Sequence, residues 1–371
     1  MPPLSLLIKP ASSLCNMGCR YCFYRDVAEN RNTRSYGIMS AATMDAMVRN
    51  VFSYADSSVS FTFQGGEPTL AGEEWYKEFH LAIERYNPKK LPVSFFLQTN
   101  GYDISDGLIE IFKKHSYLLG ISLDGDEEIH NSLRPTASGA PTYAKINEAI
   151  ARLDAAGVEY NILTVITEQV ASRGAEVYRT LRDRGFRFLQ FIPFVSDFIE
   201  EGRVDSYTLT PESYARFLSE TLREYRADLF GGRYVSVRQF DNLVRIAAGM
   251  PAECCGMGGR CYANLVVEAD GSVYPCDFYV LDKWKMGNIT TDPIGKLLGC
   301  EAAEKFVKAS LSLPEKCKKC PYLAICRGGC RRHREDGLGN IAVNRYCAAY
   351  KKFFEENGAG ILDIAKRMFK R

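Results

Sequence analysis

Cys15-Asn16-Met17-Gly18-Cys19-Arg20-Tyr21-Cys22 follows the apolar run Leu4 to Ile8 by a few residues. Three cysteines with gaps of three and then two residues can turn their sulfurs towards one point on a tight loop, and they leave a fourth position open. Thiolates select zinc or iron-sulfur clusters among the common metals. A closed structural zinc site wants a fourth Cys or His nearby, and the nearest histidine in sequence is His80. The stretch therefore reads as the seat of a [4Fe-4S] cluster with one iron free of protein ligands, where a small molecule can bind. A partial zinc knuckle or scattered core cysteines are the alternatives, and the residues downstream weigh against both.

A chain of 371 residues exceeds one ordinary domain and predicts two or three. With a formal net charge of +2 there is no chain-wide positive field to collect phosphates, so no nucleic acid is expected as a partner. The stretch Met1 to Ile8 is too short and too poor in leading Lys or Arg for a secretory signal. No apolar run approaches membrane-spanning length, so no membrane is expected either. Thirteen cysteines, an odd number grouped at metal-like gaps, fit a reducing compartment and bound metal better than a disulfide framework. The expected location is cytoplasmic.

Six β-rich apolar runs alternate with helical patterns: Leu4 to Lys9, Val59 to Gln64, Val93 to Thr99, Leu118 to Leu123, Tyr160 to Ile166 and Phe186 to Phe191. Helices are predicted over Ala42 to Phe52, Glu74 to Tyr86, Ser105 to Lys114, Tyr143 to Ala156 and Gly174 to Arg184. Such alternation implies parallel strands with right-handed crossovers. A complete eight-unit barrel needs about 250 residues, whereas the repeat here ends near Val195, which predicts an open partial barrel. Polar residues at the strand ends then come under scrutiny, because chemistry collects there. They are Gln64-Gly65-Gly66-Glu67-Pro68, Gln98-Thr99-Asn100-Gly101 and Ser122-Leu123-Asp124-Gly125. Paired glycines allow backbone groups to approach a ligand, although Gly-Gly before a helix is commonly a turn, and Gly101 and Gly125 read as turn residues.

Cys-x3-Cys-x2-Cys with Tyr21 before the last cysteine, followed one unit later by Gly65-Gly66-Glu67-Pro68, resembles the radical S-adenosylmethionine (SAM) enzymes. The resemblance implies a (β/α)6 partial barrel over 1–195. It also implies that the open iron of the Cys15, Cys19 and Cys22 cluster holds SAM, which is cleaved to a 5'-deoxyadenosyl radical. Gly65 and Gly66 would bind the SAM amino group, Ser122 and Arg134 would lie near its carboxylate and ribose, and Tyr21 and the backbone near Val195 would meet adenine. On chemistry alone Arg134 reads equally well as a solvated loop arginine. Residues 196–250 read as a helical linker, with patterns over Pro211 to Arg226 and Val237 to Met250 and no catalytic motif.

Ten of the thirteen cysteines fall between Cys254 and Cys347. Their spacing along 251–348 resembles the SPASM domain of peptide-modifying radical SAM enzymes, with 349–371 as a C-terminal helical segment. In that domain eight cysteines hold two auxiliary [4Fe-4S] clusters, making three clusters with the first. Carried over, Cys255, Cys261, Cys276 and Cys330 would hold one, and Cys317, Cys320, Cys326 and Cys347 the other; Cys255 is preferred to Cys254 by analogy only. Two four-cysteine zinc sites are the alternative. Lys316, Lys318, Lys319, Arg327, Arg331, Arg332 and Arg334 would balance cluster charge, or also offer a docking surface to an acidic flavodoxin or ferredoxin.

Over essentially the full chain the resemblance is to anaerobic sulfatase-maturating enzymes. It implies oxidation of a Cys or Ser to formylglycine within a Cys/Ser-x-Pro/Ala-x-Arg segment of an unfolded or nascent sulfatase peptide. Asp277, next to Cys276, would be the base, and a turn-capping Asp is the alternative. Tyr24, Gln64 and Gln98 would position the peptide. Another SPASM peptide modifier, such as a thioether-forming enzyme, and a non-catalytic iron-sulfur carrier are the competing readings.

Overall fold

Leu4, Leu6 and Ile8 alternate into the interior along the first strand, and Val59, Phe61 and Phe63 do so along its neighbour, the period-two signature of a sheet covered on the inner face. The computed structural model describes residues 3–198, 205–335 and 341–369. Ten strands are described: β1 (Leu4–Ile8), β2 (Val59–Phe63), β3 (Val93–Thr99), β4 (Leu118–Ser122), β5 (Glu159–Ile166), β6 (Phe188–Pro193), β7 (Ser236–Val237), β8 (Leu265–Val267), β9 (Ser272–Tyr274) and β10 (Gly287–Asn288). The chain forms two units, one of Met1–Ser122, Arg134–Tyr160 and Tyr262–Phe306, the other of Leu123–Leu133, Asn161–Cys261 and Val307–Arg371.

In the first unit the strands run in the order β10-β9-β8-β1-β2-β3-β4. β1 to β4 are parallel, joined by helices Ala41–Tyr54, Glu73–Tyr86 and Asp106–Lys114 as expected. Ser40 and Ser105 begin two of these helices by accepting from Thr43 N and Leu108 N, which satisfies an otherwise orphan donor. Phe61, Phe63, Trp75, Tyr76, Phe79 and Tyr117 fill the space between sheet and helices. The sequence reading missed the three-residue strands β8 and β9, which are too short to show a period. β8 lies parallel to β1 with Ile8 opposite Val267, and β9 returns antiparallel. Glu268 is thereby set beside Lys9, and Cys276 follows β9 by two residues.

In the second unit β5, β6 and β7 are parallel. β6 begins two residues later than predicted: Gly185, at φ +89°, ends the preceding helix, and Phe186 N still donates back to Leu181 O. Helix Pro211–Phe230 starts at the predicted Thr210-Pro211, with Thr210 accepting from Ser213 N; part of the preceding linker, 199–204, lies outside the described residues. The C-terminal helical pattern, over Ala348 to Phe354 and Ile361 to Phe369, forms one continuous helix, Cys347–Met368. Gly358 and Gly360 weaken it locally, yet the helix is held across them by Phe353, Ile361 and Ile364 in the core and by Asn357 Nδ2 donating to Ser219 Oγ at 2.9 Å. No helix among the described residues is long and apolar enough to cross a membrane.

Candidate active site and thiol clusters

The chain leaves β1 at Lys9 and turns at Ser12, a non-glycine residue at φ +50°, to present Cys15, Cys19 and Cys22. Cys15 is exposed and the other two are half-buried, which suits a cluster with an open face. Cys15 Sγ accepts from Met17 N at 3.4 Å and from Asn100 Nδ2 at 3.7 Å. Although the residue as a whole is exposed, the protein around its sulfur pushes the Cys15 thiol up by desolvation, with Glu67 and Cys22 adding to the rise, so a cationic iron core would favour the thiolate here. The loop is tied to residues 134–136: Gly18 N donates to Pro135 O at 2.8 Å, and Met17 bridges Thr136. Arg134 Nη1 donates to Tyr21 Oη at 2.7 Å. Two predicted SAM contacts are thus joined, and Arg134 is buried rather than solvated.

Gly65 and Gly66 stand at φ +96° and +54°. A Cβ on Gly65 would overlap the Lys9 side chain, and one on Gly66 the carbonyl of Leu14. The first task of the pair is therefore to let its loop close on the cysteine loop, and Glu67 N donates to Leu14 O at 2.7 Å. Glu67 is buried: Oε1 takes Thr69 N, Thr69 Oγ1 and Thr99 Oγ1, and Oε2 takes Asn100 N at 2.7 Å. This knot fixes the ends of β2 and β3. The sequence reading gave Glu67 no role, although an acid inside a Gly-Gly-x-Pro turn was a signal for one.

Tyr24, Gln64 and Asp277 meet in the first unit. Tyr24 Oη donates to Asp277 Oδ2 at 2.6 Å, and Gln64 Nε2 reaches the same oxygen at 2.8 Å and Tyr24 Oη at 2.5 Å. The other oxygen, Oδ1, is shut off from solvent with no hydrogen-bond partner. Burial pushes the Asp277 carboxyl up, opposed chiefly by Lys9 and by the Tyr24 hydroxyl. Burial and the Asp277 carboxylate hold the Tyr24 phenol well above its ordinary range, so it remains a donor. Phe23 packs on Phe278 with ring centroids 4.7 Å apart, joining the two segments that carry Tyr24 and Asp277. Gln98 and Ser122 stand half-buried at the ends of β3 and β4, outside this triad. Beneath it Glu268 binds Lys9 and Arg31, each at 2.6 Å. Burial raises the Glu268 carboxyl, but the two cations outweigh it and bring it down to about 2. The sequence missed these three residues; a charge closing each of the apolar runs of β1 and β8 was the available sign.

In the second unit Cys317, Cys320, Cys326 and Cys347 line a partly open concavity, with Lys316, Tyr322, Leu323, Tyr350, Lys351 and Phe354 around them. Four thiols facing one concavity are a donor set that suits an iron-sulfur cluster. Burial raises the Cys317 and Cys326 thiols, and their neighbouring cysteines raise them further, so bound metal is what would make them thiolates. Cys330 is pushed up to about 12, mainly by burial and then by Cys255, Cys261 and Cys254, so that group also gathers. Cys254 N is held by Asn242 Oδ1 at 3.1 Å, and both adjacent thiols lie within electrostatic reach of Cys330. Cys276 belongs to the first unit, and Val195 is buried in the second just after β6. Arg331, Arg332 and Arg334 are buried, which removes them from any docking surface. Arg331 pairs with Glu335, Arg332 donates to Ser196 O and covers the Phe198 ring at 3.8 Å, and Arg334 donates to Ser310 O and Ser312 O.

The radical SAM superfamily profile matches residues 10–181, and that of the SPASM iron-sulfur cluster-binding domain matches 255–321. A cysteine-type anaerobic sulfatase-maturating enzyme of Clostridium perfringens is 41% identical over 369 residues, covering 99% of this chain and 100% of its own. A serine-type enzyme of Klebsiella pneumoniae is 30% identical over 359 residues, covering 95% of this chain and 87% of its own. The solved structure of native anSMEcpe with bound AdoMet and Cp18Cys peptide matches with a TM-score of 0.93 at 41% identity, over 99% of this chain and 100% of that one. Streptococcus suis SuiB bound to S-adenosylmethionine shares the fold, with a TM-score of 0.62 at 18% identity over 93% of this chain and 77% of that one. The expected α/β partial barrel followed by a cysteine-rich SPASM domain is borne out. The chain belongs to the radical SAM/SPASM family of anaerobic sulfatase-maturating enzymes.

Proposed function

We propose that this protein oxidises the active-site cysteine of a sulfatase peptide to Cα-formylglycine, and that Asp277 takes the thiol proton. One observation carries the reading: Asp277 Oδ1 is buried without a partner while Oδ2 is pinned by Tyr24 and Gln64. An acceptor held in this way is matched to an S–H or O–H group of a bound substrate. Burial raises the basicity of Asp277, which suits the task. The protonated Tyr24 and the Gln64 amide hold the carboxylate in one orientation, and Gln98 at the end of β3 is assigned to the peptide.

When bound, SAM and the cluster of Cys15, Cys19 and Cys22 would supply the hydrogen-abstracting radical, and one of the clusters of Cys255, Cys261, Cys276 and Cys330 or of Cys317, Cys320, Cys326 and Cys347 would take up the released electron; water then replaces the sulfur, which leaves as sulfide. Gly65, Gly66, Ser122, Arg134, Tyr21 and Val195 are assigned to SAM. A cysteine substrate is preferred to serine because identity is 41% to the cysteine-type relative and 30% to the serine-type one. The substrate segment is Cys/Ser-x-Pro/Ala-x-Arg, the reductant a flavodoxin or ferredoxin, and the compartment the cytoplasm. The work divides between the barrel of 1–195 and the cluster domain of 251–348, with 196–250 and 349–371 as helical supports.

The test is anaerobic incubation with dithionite, SAM and a short cysteine-containing sulfatase peptide, followed by mass spectrometry. Wild type should yield formylglycine, while Asp277→Asn should still release 5'-deoxyadenosine but form at least about a hundredfold less product. Full product from Asp277→Asn, or a thioether cross-link from wild type, would overturn the assignment.

A further inference from the structure

Lys9 is only 2% exposed, and its ammonium lies 2.6 Å from Glu268 Oε1. Arg31 binds the same oxygen at 2.6 Å, so a single carboxylate holds two buried cations. Arg31 alone would neutralise Glu268, which leaves the charge of Lys9 in excess. The two cations face different ways. Arg31 turns to Ser12 Oγ, Arg34 O and the Tyr36 ring. Lys9 instead lies 5.3 Å from the centre of the Tyr24 ring, and its methylenes occupy the space beside Gly65, the residue after Gln64. Asp277 is a further anion within its electrostatic reach. Lys9 therefore touches both segments that pin Asp277, and through Glu268 it is fastened to β8, whose hairpin leads to Asp277.

We propose that Lys9 is a positioning residue for the oxidation: its buried ammonium, anchored by Glu268, sets the Tyr24 ring and the Gln64 loop so that Asp277 Oδ1 stays turned to the substrate. This rests on the reading of Asp277 as proton acceptor. A displacement of about 1 Å at such a site can lower the rate about a hundredfold. Loss of the ammonium should therefore separate radical formation from product formation.

Lys9→Met keeps the methylenes packed beside Gly65 and leaves Glu268 paired with Arg31. Arg31→Met removes the other cation and touches neither Tyr24 nor Gly65. Each holoenzyme is assayed anaerobically for iron content, melting temperature, peptide affinity by fluorescence anisotropy, and formylglycine per 5'-deoxyadenosine. Lys9→Met should keep iron and peptide affinity within about twofold of wild type while product per 5'-deoxyadenosine falls at least about tenfold; Arg31→Met should keep the wild-type ratio. An unchanged ratio in Lys9→Met overturns the proposal, as does an equal loss in both variants, which would make the ion cluster a structural prop only. Asp277→Asn assayed alongside separates the two levels: full product there removes the underlying reading, whereas a blocked Asp277→Asn beside a fully coupled Lys9→Met removes only the role of Lys9.

Discussion

At the scale of single residues, the site is built from carboxylates denied water and given chosen donors in its place. Glu67 shows this without a cation: four donors from Thr69, Thr99 and Asn100 replace its hydration. Glu67→Gln would turn an amide N–H towards one of those donors, and leaving a buried donor unsatisfied costs about 1–3 kcal/mol. Chemical denaturation should register a loss of that size, with reduced iron retention because Asn100 also donates to Cys15. A midpoint equal to wild type would show that the knot is dispensable. Tyr24, Gln64 and Asp277 could be singled out in the sequence because each sits beside a cysteine or glycine motif. Lys9 and Glu268 were not, since their meeting depends on Ile8 pairing with Val267 across more than half the chain.

At the scale of elements, local propensity and packing disagree in two places, and each disagreement can be measured. Gly358 has open space where a Cβ would stand, inside the C-terminal helix and between the two stretches of its apolar pattern. Gly358→Ala should raise stability by about 0.5–1 kcal/mol in denaturant melts; destabilisation would mean that the helix breaks there. The second case is the stack of His80 on His115, ring centroids 3.4 Å apart, with His80 Nε2 3.0 Å from Tyr117 Oη. Burial, then His115 and Lys114, lower His80 to about 3. A histidine whose folded pKa lies below its unfolded value of about 6.5 favours the fold fully above pH 6.5, and that advantage shrinks as pH falls towards 3. Between pH 6 and 5 the wild type should lose about 1.2 kcal/mol from this group. His80→Gln should remove that part of the slope, and an unchanged slope in thermal melts at pH 7, 6 and 5 would refute the assignment. Helix ends and strand centres were readable from caps and alternation, whereas a three-residue strand such as β8 carries no period to read.

At the scale of the whole molecule, two different kinds of information specify the two units. The barrel strands announce themselves by apolar runs, since an aromatic and aliphatic core holds them. The segment 311–327 has no fully buried residue, and its two helices, Glu315–Lys318 and Leu323–Cys326, are four residues long. Helices of that length are not stable on their own, so what specifies this segment is the spacing of Cys317, Cys320 and Cys326. That is why the sequence shows it as a set of spaced cysteines and not as secondary structure. Iron should then act as its core. Binding energy that exists only in the folded form is folding energy, and without metal the raised thiols of Cys317 and Cys326 stay protonated around a concavity with nothing to fill it. Removal of iron by a chelator under reducing conditions should therefore abolish hydrogen-exchange protection across 311–330 and in the first turn of helix Cys347–Met368, while β1 to β4 keep theirs. Cys326→Ala should do the same locally and reduce bound iron by about four atoms of about twelve. Undiminished protection of 311–330 in the iron-free protein would mean that the segment folds from side-chain packing, against the lack of any fully buried residue in 311–327.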